Sequence, residues 1–187
     1  MRRVGLAAIL SILVLLVGMV AAGPVEEVHA QNAQSDYFLK IPGIEGESLD
    51  EAHRGEIDVQ SWSWGETNSA HIRSSGLGAG KVVVNDFNFT MKSSKATPEL
   101  FIVCAKGKPI PSATLTGTKD GHTFLTWELK NVIITSFKTR VEEGSGTPTD
   151  EVRIAFEQIV MTYTVQNSDG TTSVVKAGYD VIANKKL

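Results

Sequence analysis

Glu56-Ile57-Asp58-Val59-Gln60-Ser61-Trp62-Ser63-Trp64 is followed by Gly65 and by a polar segment ending Gly76-Leu77-Gly78-Ala79-Gly80. Lys81-Val82-Val83-Val84-Asn85-Asp86-Phe87-Asn88-Phe89-Thr90 comes directly after it. Both ends of this stretch alternate apolar and polar residues, the period of half-buried β-strands. In the first, Ile57 and Val59 fall on one face and Trp62 and Trp64 on the other. A bulge near Gln60 or Ser61 is expected to bring both pairs to the same side, where two tryptophans would anchor the core. The glycine-rich middle reads as a long flexible loop that orders on contact with a partner. With no catalytic constellation beside it, the stretch points to an assembly surface rather than an active site.

The same pattern extends outward. Asp36 to Ile41 reads as a first strand, ended by Pro42-Gly43, and residues 44–55 as a polar loop. A single helix is expected at Pro98 to Lys106. Thr97 would be its N-cap, Pro98 its first residue and Glu99 a complement to its dipole. Leu100, Val103 and Cys104 would form its buried stripe, broadened by Phe101, and Gly107 its left-handed stop. Ser112 to Lys119 and Thr123 to Lys130 are strands joined by the hairpin signal Asp120-Gly121. Asn131 to Arg140 continues as another strand, and residues 142–150 as a loop. In Glu151 to Gln166 the apolar parity changes from Val152, Ile154 and Phe156 to Ile159, Met161, Tyr163 and Val165. A bend near Gln158 resolves this, as where one strand serves two sheets. Ser168-Asp169-Gly170 then turns the chain into Ser173 to Asn184. The fold class is mainly β: a β-barrel or compressed two-sheet sandwich of about eight strands with one flanking α-helix.

The first thirty residues stand apart. Arg2 and Arg3 precede an almost wholly apolar run from Val4 to Ala22, and Val28-His29-Ala30 supplies the small-residue signal of a secretory leader cleaved before Gln31. Val20-Ala21-Ala22 has the same spacing, and an uncleaved membrane anchor is the alternative. The organisation is then a leader at 1–30, a linker at 31–35 and one domain at 36–187, with a secreted location, periplasmic or extracellular. Contact with a membrane would come only through an uncleaved leader. Leader removal takes two Arg and two Glu, so the net charge stays at −3. That balance argues against nucleic acid or anionic lipid as partner. Cys104 is the single cysteine, so no disulfide framework exists; its apolar setting reads as a buried small residue rather than a reactive thiol.

No motif carries chemistry. Gly76-Leu77-Gly78-Ala79-Gly80-Lys81 resembles a phosphate loop but has Ser75 where the first glycine belongs and Val82 where a metal-binding Ser or Thr is needed. It also leads into a strand, not a helix N-terminus. His53, His71 and His122 lie apart, without ligand spacing: His53 and His71 in polar loops, His122 in a solvated turn. Asp36, Glu45, Glu47, Asp50, Glu51, Glu56 and Asp58 read as a solvated acidic face rather than a glycosidase pair. No Gly-x-Ser-x-Gly elbow is present. Asn88-Phe89-Thr90 matches a glycosylation acceptor but lies in a predicted strand. No catalytic, cofactor-binding or metal residue is assigned.

Taken in order, several segments resemble the Hcp family, the tube protein of bacterial type VI secretion systems. They are Asp36-Tyr37-Phe38-Leu39-Lys40-Ile41, Gly46-Glu47-Ser48, His53, Glu56-Ile57-Asp58-Val59, Ser61-Trp62-Ser63-Trp64-Gly65, Gly80-Lys81-Val82 and Asp86-Phe87-Asn88-Phe89-Thr90. Thr97-Pro98-Glu99-Leu100 with Cys104 and Gly107, Val152-Arg153-Ile154-Ala155-Phe156, Tyr163 and Gly178-Tyr179-Asp180 complete the set. The resemblance implies a non-enzymatic β-barrel with one helix that forms hexameric rings. Those rings would stack into a tube, carry small effector proteins in the lumen, and meet sheath and spike components. It also implies that the loop between the two opening strands contacts the adjacent ring. The candidate stacking residues are Glu66, Thr67, Asn68, Ser69, His71, Arg73, Gly76, Gly78 and Gly80. The leader departs from the family pattern, because the tube assembles in the cytoplasm. An exported ring or monomer, acting as a carrier or binding module without the type VI apparatus, is therefore the alternative. A small secreted β-barrel hydrolase would need a convergent polar pocket, for which the sequence offers no residues.

Overall fold

Strands alternate with tight turns along most of the described residues. The computed structural model describes residues 35–187 except 70, 74, 75, 79–81, 142, 143 and 145, and only the backbone of 71–73 and 76–78. The expected leader and most of the linker thus lie outside the described residues. In chain order the strands are β1 (Asp36–Lys40), β2 (Ile57–Asp58), β3 (Ser61–Ser63), β4 (Glu66–Asn68), β5 (His71–Arg73), β6 (Gly76–Gly78), β7 (Val82–Val84) and β8 (Phe87–Lys92). Helix α1 (Ala96–Lys106) separates these from β9 (Ile110–Lys119), β10 (His122–Arg140), β11 (Thr149–Ala155), β12 (Gln158–Gln166), β13 (Thr172–Asp180) and β14 (Lys185–Lys186). Seven strands, β1 and β8 to β13, run five residues or more and fall in runs expected from alternation, though two of the expected runs merge into β10, Glu151 to Gln166 divides into β11 and β12, and Glu56 to Trp64 divides into β2 and β3. The additional strands are segments of two to three residues, too short for a two-residue period to register.

The 19-residue β10 organises the sheets. One edge pairs antiparallel with β9 from His122 to Val132. Along the other edge β12 pairs with Leu125 to Lys130 and β11 with Ile133 to Arg140. Thr123 to Arg140 is therefore one continuous strand, not the two expected. β9 pairs onward with β1 and β1 with β2, while β11 pairs with β8 and β8 with β3. These two series meet between β2 and β3. The Val59 N–H donates to the Tyr37 carbonyl at 2.8 Å and the Gln60 N–H to the Thr90 carbonyl at 2.8 Å. Two consecutive residues thus carry the chain from one sheet to the other and close the barrel, which removes both edges there. This is where a bulge was expected.

The bend expected near Gln158 falls at Phe156-Glu157, between β11 and β12. Opposite it, Asn131 has φ of 50°, the left-handed conformation that asparagine tolerates better than most residues. Its Nδ2 donates to Glu157 Oε2 at 2.7 Å, and the Glu157 N–H reaches the Lys130 carbonyl. Past this bend β12, β13 and β14 run off the barrel as an extension of the sheet. The Asp120-Gly121 hairpin forms as expected, both residues at positive φ, as a type I′ turn requires.

Phe87, Phe89, Leu39, Ile57, Met91, Leu115, Leu129, Val132, Val152 and Ile154 fill the barrel, each almost fully buried. Helix α1 closes one side through buried Ala96 and Leu100, with Val103 and Cys104 packed at the margin. Cys104 is half-buried, not enclosed as expected, because α1 lies on the barrel rather than within it. Phe101 stays 53% exposed and meets Phe137 at 6.1 Å between ring centres. Gly107 ends the helix in the left-handed conformation, its N–H donating to the Cys104 carbonyl. Helix α1 begins two residues before the expected start, with Lys95 at the cap position and no side-chain cap. Thr97, expected there, instead lies inside the first turn and turns its hydroxyl to Asp150.

Candidate functional site

The segment between β3 and β8 is a two-stranded arm, not the structureless loop expected from its glycines. β4 pairs with β7, joining Glu66 to Val84, Thr67 to Val83 and Asn68 to Val82. Farther out, β5 pairs with β6, joining His71 to Gly78, Ile72 to Leu77 and Arg73 to Gly76. At the base, Ser63 faces Asn88 across the β3–β8 ladder. The returning limb thus carries one residue more than the outgoing limb at each of the two joints. At the inner joint, where Asn85 to Phe87 lie opposite Trp64 and Gly65, the extra residue bends the arm and adds local right-handed twist. Gly76 and Gly78 are strand residues, which backbone pairing permits whatever their low strand preference.

Of the expected stacking residues, Glu66, Thr67, Asn68 and Ser69 lie on the outgoing limb and are exposed. His71 and Arg73 lie on β5 and Gly76 and Gly78 on β6, while Gly80 lies outside the described residues. The structure therefore brings all the described candidates onto one arm.

Aromatic packing fixes the arm's root. Trp62 stacks on Phe87 with ring centres 5.7 Å apart. Trp64 meets Trp127 at 5.3 Å and Phe156 at 6.2 Å. The Trp64 Nε1–H donates to the Asn85 carbonyl at 3.0 Å, tying the first residue beyond β3 to the limb that returns to β8. Such pairs add about 0.5–1.5 kcal/mol each beyond area burial. Both tryptophans are half-buried, so they clamp the mouth of the barrel rather than fill its centre.

Residues 45–56, between β1 and β2, form a second surface feature, folded back on itself. The Gly46 N–H donates to the Gly55 carbonyl at 2.8 Å, Ser48 to Glu56 at 3.0 Å and Gly55 to Ser48 at 2.9 Å. A Cβ on Gly46 would stand 2.1 Å from the Glu56 carbonyl oxygen, so this close backbone approach admits only glycine. Asp50 Oδ1 accepts from the Ala52 and His53 N–H groups. His53 is not simply solvated as its polar surroundings imply. Its ring stacks on Phe38 at 4.4 Å and its Nδ1 lies 2.9 Å from Glu56 Oε2. Glu47 reaches the Lys95 N–H, and Glu45 pairs with the Lys95 ammonium at 3.2 Å. At the apex of this tightly bonded loop Leu49 is 83% exposed. The sequence signal was a lone leucine among polar turn residues, which alternation does not weigh.

A third feature is the sheet extension. Directly paired residues share a face, so Leu129, Ile159 and Tyr179 form one row, Trp127, Met161 and Ala177 a second, and Leu125, Tyr163 and Val175 a third. Along β10 this face is the barrel interior. On β12 and β13 it passes into solvent: Leu125 is 9% exposed, Tyr163 44% and Val175 58%. The outer edge of β13 is paired with β14 only at Tyr179 and Asp180. A groove of about 460 Å³ runs between this face and the arm's root, lined by Trp64, Glu66, Val82, Trp127, Met161 and Tyr179. Among the described residues no cluster of side chains could hold a metal ion, and no helix is long and apolar enough to cross a membrane.

The comparisons agree with this architecture. Residues 38–163 match the family model described as type VI secretion system effector, Hcp. The chain is 39% identical over 156 residues to protein Hcp1 of Pseudomonas aeruginosa, covering 80% of this chain and 96% of that protein. It is similar to the crystal structure of Hcp1 from Salmonella typhimurium, with a TM-score of 0.70 and 32% identity over 82% of this chain and 99% of that one. A type VI secretion system effector from Yersinia pestis aligns with a TM-score of 0.66 and 35% identity, covering 78% of this chain and all of that one. A β-barrel with one helix and matches along most of its length place the chain in the Hcp family of type VI secretion proteins, non-enzymatic proteins that form hexameric rings.

Proposed function

We propose that this chain is a ring subunit whose arm, residues 66–80, joins one ring to the next. The single observation that carries the reading is the arm itself. Its two ladders pair within the arm and with no other strand of the described residues, so its backbone forms no part of the barrel's own sheets. Glu66, Thr67, Asn68, Ser69, His71, Arg73, Gly76, Gly78 and Gly80 are the contact residues, with stacked rings enclosing small effector proteins and meeting sheath and spike components. The same proposal sets a leader at 1–30, a linker at 31–35 and the ring-forming domain at 36–187.

The leader favours a second reading, in which the ring is exported by the general secretory route and works as a carrier outside the cytoplasm. Light scattering and negative-stain images of the purified chain test the first proposal. Rings that stack, and that remain rings but cease to stack when residues 71–78 are replaced by a short glycine turn, are the expected result. A monomer, or unchanged stacking after that replacement, overturns it. Export in a strain without a type VI apparatus, with a new N-terminus at Gln31, identifies the second reading.

A further inference from the structure

The groove at the arm's root differs from a plain apolar contact. Trp64, Trp127 and Tyr179 line it with aromatic surface, and Met161 joins them from directly across the ladder from Trp127. Glu66 is the one charged residue among the described residues of its lining, and it forms no ion pair with any described residue. We infer that the groove binds a small quaternary ammonium compound, its alkylated nitrogen set against these rings and beside the Glu66 carboxylate. This goes beyond the ring reading and does not rest on it.

Three observations select that ligand. The first is charge. Aromatic faces carry negative potential and draw a cation to within about 6 Å of the ring centre, and Glu66 adds a full negative charge on the arm side. A neutral apolar ligand would take water from that carboxylate and return nothing, and an anion would be repelled by both. The second is a shortage of acceptors. A primary ammonium or a guanidinium needs several acceptors for its N–H groups. Among the described lining residues only Glu66 and Asn68 supply carboxylate or amide oxygens, and the Tyr179 hydroxyl already donates to Asn184 Oδ1 at 2.5 Å. A fully alkylated nitrogen needs no acceptor. The third is preorganisation. The Asn85 carbonyl holds Trp64, and Trp62 at 6.1 Å and Phe87 at 6.5 Å hold Trp127, so little ordering entropy is lost on binding. The groove's volume of about 460 Å³ falls within the roughly 300–1,000 Å³ of small-molecule sites. A membrane phosphocholine head group fits less well, because no cationic side chain among the described lining residues receives its phosphate.

Choline tests this on the purified full chain, with 3,3-dimethylbutan-1-ol as its uncharged isostere, by calorimetry and by saturation transfer to the ligand's methyl protons. Choline should bind saturably, and the alcohol about tenfold more weakly. Glu66→Gln should weaken choline about five- to tenfold, the loss of one charge pair near the surface, and leave the alcohol unchanged. Glu66 is exposed, so this variant should fold as the parent does. Tyr179→Phe should bind choline as the parent does, and Tyr179→Leu more weakly. No saturation by choline, equal binding of the alcohol, or an unchanged affinity in Glu66→Gln or Tyr179→Leu overturns the inference. Tighter binding to phosphatidylcholine vesicles than to free choline also overturns it, by assigning the groove to a lipid surface. Replacing residues 71–78 by a glycine turn leaves Glu66 in place, so the same titration on that variant reads loss of stacking and loss of choline binding apart.

Discussion

Glu47 Oε1 accepts the backbone N–H of Lys95 at 2.9 Å across 48 positions of sequence. Lys95 stands at the cap position of α1, where a local Ser, Thr, Asp or Asn usually accepts from the helix's first N–H groups. Here the carboxylate comes from the β1–β2 loop and brings negative charge to the positive end of the helix dipole. Fixing the loop and starting the helix are therefore one act.

Glu47→Ala should cost about 1 kcal/mol, the usual size of a lost cap. Glu47→Gln keeps the acceptor oxygen and loses the charge, so its cost should be smaller. Urea unfolding followed by tryptophan fluorescence measures both; equal costs would show that hydrogen bonding contributes nothing beyond charge.

Asp150 is fully buried and accepts from three hydroxyls: Ser93 Oγ at 2.9 Å, Thr97 Oγ1 at 2.5 Å and Thr139 Oγ1 at 2.8 Å. It binds β8's exit, α1 and β10 to β11. Hydrogen bonds to a charged group are worth about 1.5–3 kcal/mol each, and a buried donor left unpaired costs about 1–3 kcal/mol. Asp150→Ala should therefore destabilise by about 3 kcal/mol or more. Asp150→Asn, which keeps one acceptor oxygen, should lose about half as much. A difference below about 0.5 kcal/mol between the two would refute the role of the hydroxyl cluster.

The Ala183 N–H, at 2.6 Å, and the Gln158 amide, at 2.8 Å, hold the Asp180 carboxyl below its ordinary range. A depressed carboxylate pKa adds stability that is complete above the unfolded value of about 3.9 and fades as pH falls through the lower folded value. The turn between β13 and β14 should therefore stay intact at pH 4 and loosen only below it. An NMR titration of the Ala183 amide should show its midpoint below pH 3.9, and a midpoint above that value would contradict the assignment.

The strands were legible wherever alternation ran for five residues or more, because a long half-buried strand has no other way to place its side chains. Leu125, Trp127 and Leu129 were assigned to one face on that basis, and share it. Thr97 shows the limit of local reasoning: it has the right chemistry for a cap, but a buried carboxylate 53 positions away competes for its hydroxyl. The arm shows another limit. Gly76 and Gly78 lower strand preference, yet pairing depends on backbone groups that every residue except proline carries. The outward passage of the core face onto β13 was hidden because periodicity identifies an apolar face without saying what covers it.

The inner ladder of the arm is joined in sequence to β3 and β8 through a short irregular joint, and that linkage determines how the barrel takes a load. A pull directed along β8 meets a strand fastened to β11 by six consecutive residue pairs from Phe87 to Lys92. Those bonds lie across the direction of pull and are strained together, in shear, instead of parting one after another like a zipper. Traction on the tip therefore reaches the barrel wall as a shared stress, and the weaker three-pair ladders of the arm yield before the wall does.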